Sequence, residues 1–299
     1  MVAPRFDFAP IGERPPIRWP GDRRLAVWLV PNVEHYELLP SVQGVRQAWP
    51  RGGPPDGLDY PRKDYGNRVG LDRFLDLCDR LGIVCTVSLS LAVPVMYPAN
   101  FGRMRERGWE FICHGLYNTH YLWNYPLEDE RAFIADCQAR MLAATGAPIR
   151  GWFSPACSHT INTPDLVAEA GIDYYCDLYH DDQPFPVRTR SGSLITIPYS
   201  MDVNDAVLQA AGADGEAFGH VIRDQFDQLL SDSARATRVM CIACHPYISC
   251  RPERIRAFER ALAHVYAHDD VWFATGAEIA DWYRRHHLAE VLAWLETRR

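Results

Sequence analysis

The chain has 299 residues, 47% of them hydrophobic, enough to bury a large core as one big domain or two small ones. Its net charge of -7 and the absence of basic runs exclude nucleic acid as a partner, because neutralising phosphates needs basic patches. No apolar stretch is long enough to span a membrane, and the start, Met1-Val2-Ala3-Pro4-Arg5, lacks the apolar core of a signal peptide, so the cytoplasm is the expected compartment.

In chain order, Leu25 to Val30 is an apolar run with β-branched and aromatic members, predicted as a buried strand ending at Pro31. Residues 38–66 are rich in proline and glycine and predict a long loop of the kind that forms lids or substrate walls. Val69 to Leu81 places Leu71, Phe74, Leu75, Leu77 and Cys78 at helical spacing and stops at Gly82. Strands are predicted at Ile83 to Leu89 and Phe111 to Cys113, then a helix from Glu128 to Thr145 ended by Gly146. Gly151 to Phe153 is read as strand, and Thr163 to Ala170 as a helix with Thr163 as N-cap and Pro164 in its first turn. Tyr174 to Cys176 and Leu194 to Ile197 are strands, Glu216 to Leu230 a helix, and Val239 to Cys244 a strand. Pro252 to His268 is helical, Val271 to Ala274 a strand, and Glu278 to His286 and Leu288 to Thr297 are helical. Repeated βα units without a long polar linker predict one α/β domain, a parallel barrel, over residues 1–299.

The nine cysteines are scattered singly through apolar segments and read as reduced, buried thiols. Cys241 and Cys244 form a Cys-x-x-Cys, but strand alternation points them to opposite faces, so they read as core.

Chemistry-bearing residues cluster where strands end, which is where α/β barrels keep their sites. Asn32-Val33-Glu34 follows the first strand, His114 the third, and Ser154-Pro155 the next. The run Asp177 to Asp182, the run Tyr199 to Asp205, and Cys244-His245-Pro246 follow later strands. Each signal alone is weak: a strand-end histidine is equally a structural hydrogen-bonder, and Asp181-Asp182 also reads as a solvated turn. The segment after His114 looks like half of a metal site. Four residues on, where a helical turn would carry the second ligand, stands Asn118, a poor zinc ligand. His120 lies further round a helix, in an aromatic run, and reads first as packing.

The order of segments resembles the polysaccharide deacetylase (NodB-homology) family from about residue 25 to 283. The resemblance is carried by Asp64-Tyr65-Gly66-Asn67-Arg68-Val69-Gly70, Gly151-Trp152-Phe153-Ser154-Pro155, Asp181-Asp182-Gln183-Pro184 and Pro198-Tyr199-Ser200 with Asn204-Asp205. Further echoes are His245-Pro246 with Arg251-Pro252, and Thr275-Gly276 through Trp282-Tyr283. It implies a single-domain distorted (β/α) barrel of the NodB type. It also implies two aspartates after the first strand, a base and a metal ligand, where this chain has Asn32 and Glu34. The family's His-Ser/Thr-x-x-His becomes His114-Gly115-Leu116-Tyr117-Asn118. These departures resemble the cofactor-independent, allantoinase-like branch, which opens cyclic amide or ureide rings and contains homo-oligomers, dimers or tetramers.

The expected activity is therefore hydrolysis of a carbon–nitrogen bond in a small cyclic ureide, imide or amide. A carbohydrate N-deacetylase and a non-catalytic ligand-binding relative are the alternatives. Glu34 is expected to activate water, with His114 as its partner and His245 protonating the leaving nitrogen. Asn32 joins them as a substrate contact. Arg68, Trp152 and Tyr199 would shape the pocket, and Asp182 and Asn204 would bind polar groups of the substrate. Ser154 and Asn118 are candidate oxyanion donors. The cofactor expectation is none or one divalent metal, zinc first, held by Glu34, His114 and a third ligand from His120, Asn118 or elsewhere.

Overall fold

The computed structural model describes residues 5–39, 55, 57 and 59–298. Nine described strands form the sheet: β1 (Leu25–Val33), β2 (Thr86–Leu89), β3 (Glu110–Cys113), β4 (Gly151–Trp152), β5 (Tyr174–Tyr175), β6 (Phe185–Val187), β7 (Leu194–Thr196), β8 (Arg238–Cys244) and β9 (Trp272–Phe273). They run in the order β6-β7-β5-β4-β3-β2-β1-β8, with β9 also paired to β1. All pairings are parallel except β6 with β7. The sheet curls, and the segment after β7 bridges to β8 at Asn204–Ala243. The result is the distorted α/β barrel expected.

The curl follows from which side chains each face must bury. Successive residues of a strand point to opposite faces. In β1, Leu25, Val27 and Leu29 join the outer core, packed under the helices, while Ala26, Trp28 and Val30 join the inner core. The same alternation sends Ile112 of β3, Phe153 after β4, Ile195 and Ile197 at β7, and Val239, Cys241 and Ala243 of β8 inward. Cys241 and Cys244 accordingly lie in different cores.

The described helices are α1 (Asp59–Tyr65), α2 (Leu71–Leu81), α3 (Val93–Met96), α4 (Pro98–Glu106), α5 (Leu127–Thr145), α6 (Thr163–Glu169), α7 (Asp205–Ala210), α8 (Gly215–Asp232), α9 (Ile255–Tyr266), α10 (Gly276–His286) and α11 (Leu288–Glu296). Part of the loop expected over 38–66 is helical: α1 runs directly into a π-helical turn, Gly66–Gly70. Positions 40–54, 56 and 58 of that loop lie outside the described residues. The short helices α3, α4 and α7 and the strand β6 are additions to the sequence reading. In α4 only Phe101 and Met104 are buried, too little periodicity to register. Strand β6 holds Pro186, which a sheet tolerates because β6 is an edge strand. Thr163 is the first residue of α6, not its N-cap, because its hydroxyl accepts from Thr160 N and donates to Glu130.

Candidate active site

Continuing the inner parity of β1 past Val30 gives Asn32, Glu34 and Tyr36. Continuing it past Ile112 gives His114, and past Ala243 gives His245. Alternation therefore aims these side chains at the C-terminal mouth of the barrel. Glu34 Oε1 lies 3.2 Å from His114 Nε2 and 3.5 Å from His245 Nε2. All three residues are buried.

The outer nitrogens of both rings are committed. His114 Nδ1 donates to the Phe153 carbonyl at 3.0 Å, and the ring stacks on Phe153 with centroids 4.8 Å apart. His245 Nδ1 meets Asp205 Oδ1 at 2.6 Å, and Asp205 Oδ2 accepts from the His245 backbone N–H at 2.8 Å. His114 Nε2 faces Glu34 Oε1, so the ring is oriented by Phe153 to act as partner to that carboxylate. Burial works against charge on His245, but Asp205 and Glu34 outweigh it and push its pKa up to about 10. Burial likewise opposes the Glu34 anion, yet His245 and His114 hold its carboxyl well below the usual range.

A second ring of contacts fixes Glu34. The Tyr36 hydroxyl donates to Glu34 Oε2 at 2.6 Å, and the Asn118 amide donates to that hydroxyl. Asn67 Nδ2, on the π-helical turn, donates to the Glu34 carbonyl at 2.9 Å. That turn packs against the residues after His245: a Cβ on Gly70 would lie 2.1 Å from the Pro246 carbonyl oxygen, and one on Gly66 2.8 Å from Tyr247. Only glycine permits this approach. Gly70→Ala is expected to cost about 2 kcal/mol, read as a lower unfolding midpoint together with reduced activity, because the His245 turn must shift.

The remaining predicted residues divide. Asn32 Nδ2 donates to the Tyr199 hydroxyl at 3.0 Å, and the Tyr199 ring packs on Phe153 at 4.2 Å. Both therefore stand at the Glu34–His114 centre. The segment after His114 is irregular and not a helical turn. Asn118 arrives there because its backbone N–H bonds the His35 carbonyl at 3.0 Å, and its Oδ1 is buried with no partner among the described residues.

The others do not join the centre. Trp152 has outward parity: it is fully buried in the outer core and donates to Ser154 Oγ at 2.9 Å. Ser154 spends its N–H and its hydroxyl on Asp177, at 2.8 and 2.6 Å, and so is no oxyanion donor. The Arg68 guanidinium is 71% exposed and paired with Asp64. Asp182 pairs with Arg238 at 3.3 Å, at the start of β8 and so at the opposite end of that strand from His245. The Asn204 side chain caps α7, accepting from Ala206 N at 3.0 Å and Val207 N at 3.4 Å. His120 turns to Glu37 at 3.2 Å. Trp123, in the aromatic run beside His120, is 59% exposed and stacked on Tyr121. Tyr36, Asn67 and Asp205 are the contributors that the sequence reading missed as individuals. Strand parity alone would have found Tyr36.

The polysaccharide deacetylase family model matches residues 63–175. A Schizosaccharomyces pombe protein named as a polysaccharide deacetylase is 27% identical over 90% of this chain and 93% of its own length. Over residues 63–175 in sequence, and over nearly its whole length against this relative, the chain is similar to polysaccharide deacetylases. The structure of a Pseudomonas aeruginosa protein, also named as a polysaccharide deacetylase, superposes with a TM-score of 0.81 at 29% identity, covering 91% of this chain and 95% of that one. PuuE allantoinase superposes with a TM-score of 0.83 at 26% identity, covering 96% and 99%. No described helix is long and apolar enough to cross a membrane.

Metal dependence is general among deacetylases of the family and is compatible with a divalent ion here, where Glu34 and His114 would meet it. The donor set does not complete a catalytic zinc site, which takes three protein ligands and a water. Among the described residues no group of three or more His, Cys, Asp or Glu is arranged to hold a metal ion. His120 is engaged with Glu37, Asn118 offers only an amide oxygen, and His245 Nδ1 is held by Asp205 at 2.6 Å.

Proposed function

We propose that this protein hydrolyses a carbon–nitrogen bond in a small cyclic ureide, imide or amide. The observation that carries the reading is the Glu34–His114–His245 centre. It sets a proton-accepting contact beside a proton-donating imidazolium, with asparagines at positions 32 and 118, where a deacetylase would carry its base and a metal ligand. The likeness to PuuE allantoinase over nearly the whole of both chains supports it.

In this reading the attacking water lies against Glu34 Oε1 and gives up its proton to that carboxylate as it attacks, with His114 Nε2 as its partner 3.2 Å away. His245 passes its Nε2 proton to the leaving nitrogen and keeps its Nδ1 proton on Asp205. The oxyanion falls to the Ala156 N–H of the turn after Ser154, where the Cys157 and Ser158 N–H groups are taken by the Ser154 and Pro155 carbonyls at 2.9 and 3.0 Å. Ala156 and Cys157 hold positive φ angles of 50° and 54°, a strained conformation of the kind stored at working sites. Pro155 brings that turn against Gly115, next to His114.

N-deacetylation of a carbohydrate is the second reading, favoured by the family model and the relatives' names. The deciding assay measures metal content and turnover of allantoin, succinimide-type imides and N-acetylglucosamine oligomers, before and after exhaustive chelation. Ring opening that survives chelation is the expected result. Turnover of the sugar oligomers alone, lost on chelation and restored by zinc, would replace it with the deacetylase reading. Inertness toward the whole panel would leave a ligand-binding relative.

A further inference from the structure

The chain carries thirty-one basic side chains, and thirty of them are arginine. The one lysine, Lys63, lies on α1 beside the candidate active site. Its Nζ is 3.5 Å from the centroid of the Tyr36 ring. One turn earlier Asp59 pairs with it at 2.8 Å, and its side chain is only 13% exposed. Tyr36 is the residue whose hydroxyl fixes Glu34 Oε2, at 2.6 Å.

We propose that Lys63 is a positioning residue that acts through Tyr36 to hold and polarise the Glu34 carboxylate's hydrogen-bond donor. A cation on the face of a phenol is attracted by the ring quadrupole and draws electron density from it, which strengthens the O–H as a donor. The same contact pins α1 to the segment that follows β1. The Tyr36 ring is held on its other sides as well, edge-on to Tyr247 with centroids 6.1 Å apart. Tyr247 in turn packs against the His245 ring at 5.3 Å. Lys63 therefore closes an aromatic bracket that spans Glu34 and His245. The use of lysine here fits the space. An ammonium is a compact point charge that can sit between a carboxylate and a ring face, whereas guanidinium is a planar fork that demands more room. Everywhere else the chain uses arginine.

Only the kinetic part of the test rests on the hydrolase reading. Protein made with 13Cε-labelled lysine contains one labelled position and gives one ε-methylene signal. That signal is expected well upfield of free lysine, from the Tyr36 ring current, and to return to the free-lysine position in Tyr36→Leu. A free-lysine position in the unsubstituted protein overturns the proposal, whatever the protein hydrolyses. On a cyclic amide that the protein opens, Lys63→Met is expected to lower kcat about tenfold with KM changed by less than about twofold. Lys63→Arg, which keeps the charge but not the shape, should recover part of the loss, with circular dichroism showing both variants folded. An unchanged kcat in Lys63→Met, or a rise in KM confined to anionic substrates, would overturn the positioning role. Absence of any turnover would remove the hydrolase reading instead and leave the ε-methylene signal to decide the Lys63–Tyr36 contact.

Discussion

Replacing Glu34 with glutamine is expected to lower kcat for ring opening by about a thousandfold, the scale of losing a positioned general base. Glutamine keeps the size of the side chain and can still accept from Tyr36, so the fold should survive. What it loses is the anion. Glu34 Oε1 faces His114 Nε2 at 3.2 Å and His245 Nε2 at 3.5 Å. With an amide there, the His114 contact no longer takes up a proton as a carboxylate does, and the His245 charge loses one of its two partners. Steady-state kinetics with circular dichroism as the folding control is the check. Activity within tenfold of the unsubstituted protein would remove Glu34 from its role.

The second large effect is expected from Asp205→Asn, a loss on the order of a hundredfold at neutral pH together with a moved pH profile. Among the influences that raise the His245 pKa against its burial, Asp205 is the largest, and the net result is about 10 against an ordinary 6.5. The acid form of His245 thus persists through neutral pH, and the alkaline limb of kcat/KM should fall near pH 10. Without the Asp205 charge that limb should move down toward the ordinary imidazole range. Stability follows the same group. A raised histidine pKa contributes stability that is fully present below about pH 6.5 and is lost as pH rises through about 10. Glu34, whose carboxyl is held low, contributes in the opposite sense: present above its ordinary range near 4.5 and lost as the solution is acidified. The two share one ion pair and do not add. An alkaline limb that stays in place in Asp205→Asn would show that another group is the acid.

Much of this arrangement was legible because a strand has a period of two. Trp28 and Val30 face inward, so Asn32, Glu34 and Tyr36 must as well if the chain stays extended. His114 and His245 follow from Ile112 and Ala243 in the same way. The same rule carried to Trp152 places it outward, beside inward Phe153, and would have kept it out of the pocket. Helical elements with a wide apolar stripe, such as α2 and α9, were equally readable. Elements that bury only one or two side chains, such as α4 and α7, carry no such pattern.

The tasks of individual polar residues were not legible, because a hydrogen bond satisfies whichever partner the fold delivers. Ser154 looks free in the sequence, but Asp177 takes both its donors. His120 stands six residues from His114 yet belongs to Glu37, on the segment after β1. Asn204 reads as a substrate contact and instead caps the helix it precedes. The His245 pKa is pushed up by Asp205, forty positions earlier, together with Glu34. By itself the sequence determined the α/β barrel and the inward parity of Glu34, His114 and His245, since both follow from local alternation and from the burial of apolar faces. Tertiary structure alone decided which of the strand-end groups meet, and therefore which carry charge, because pairing across the curled sheet joins residues that no local period relates.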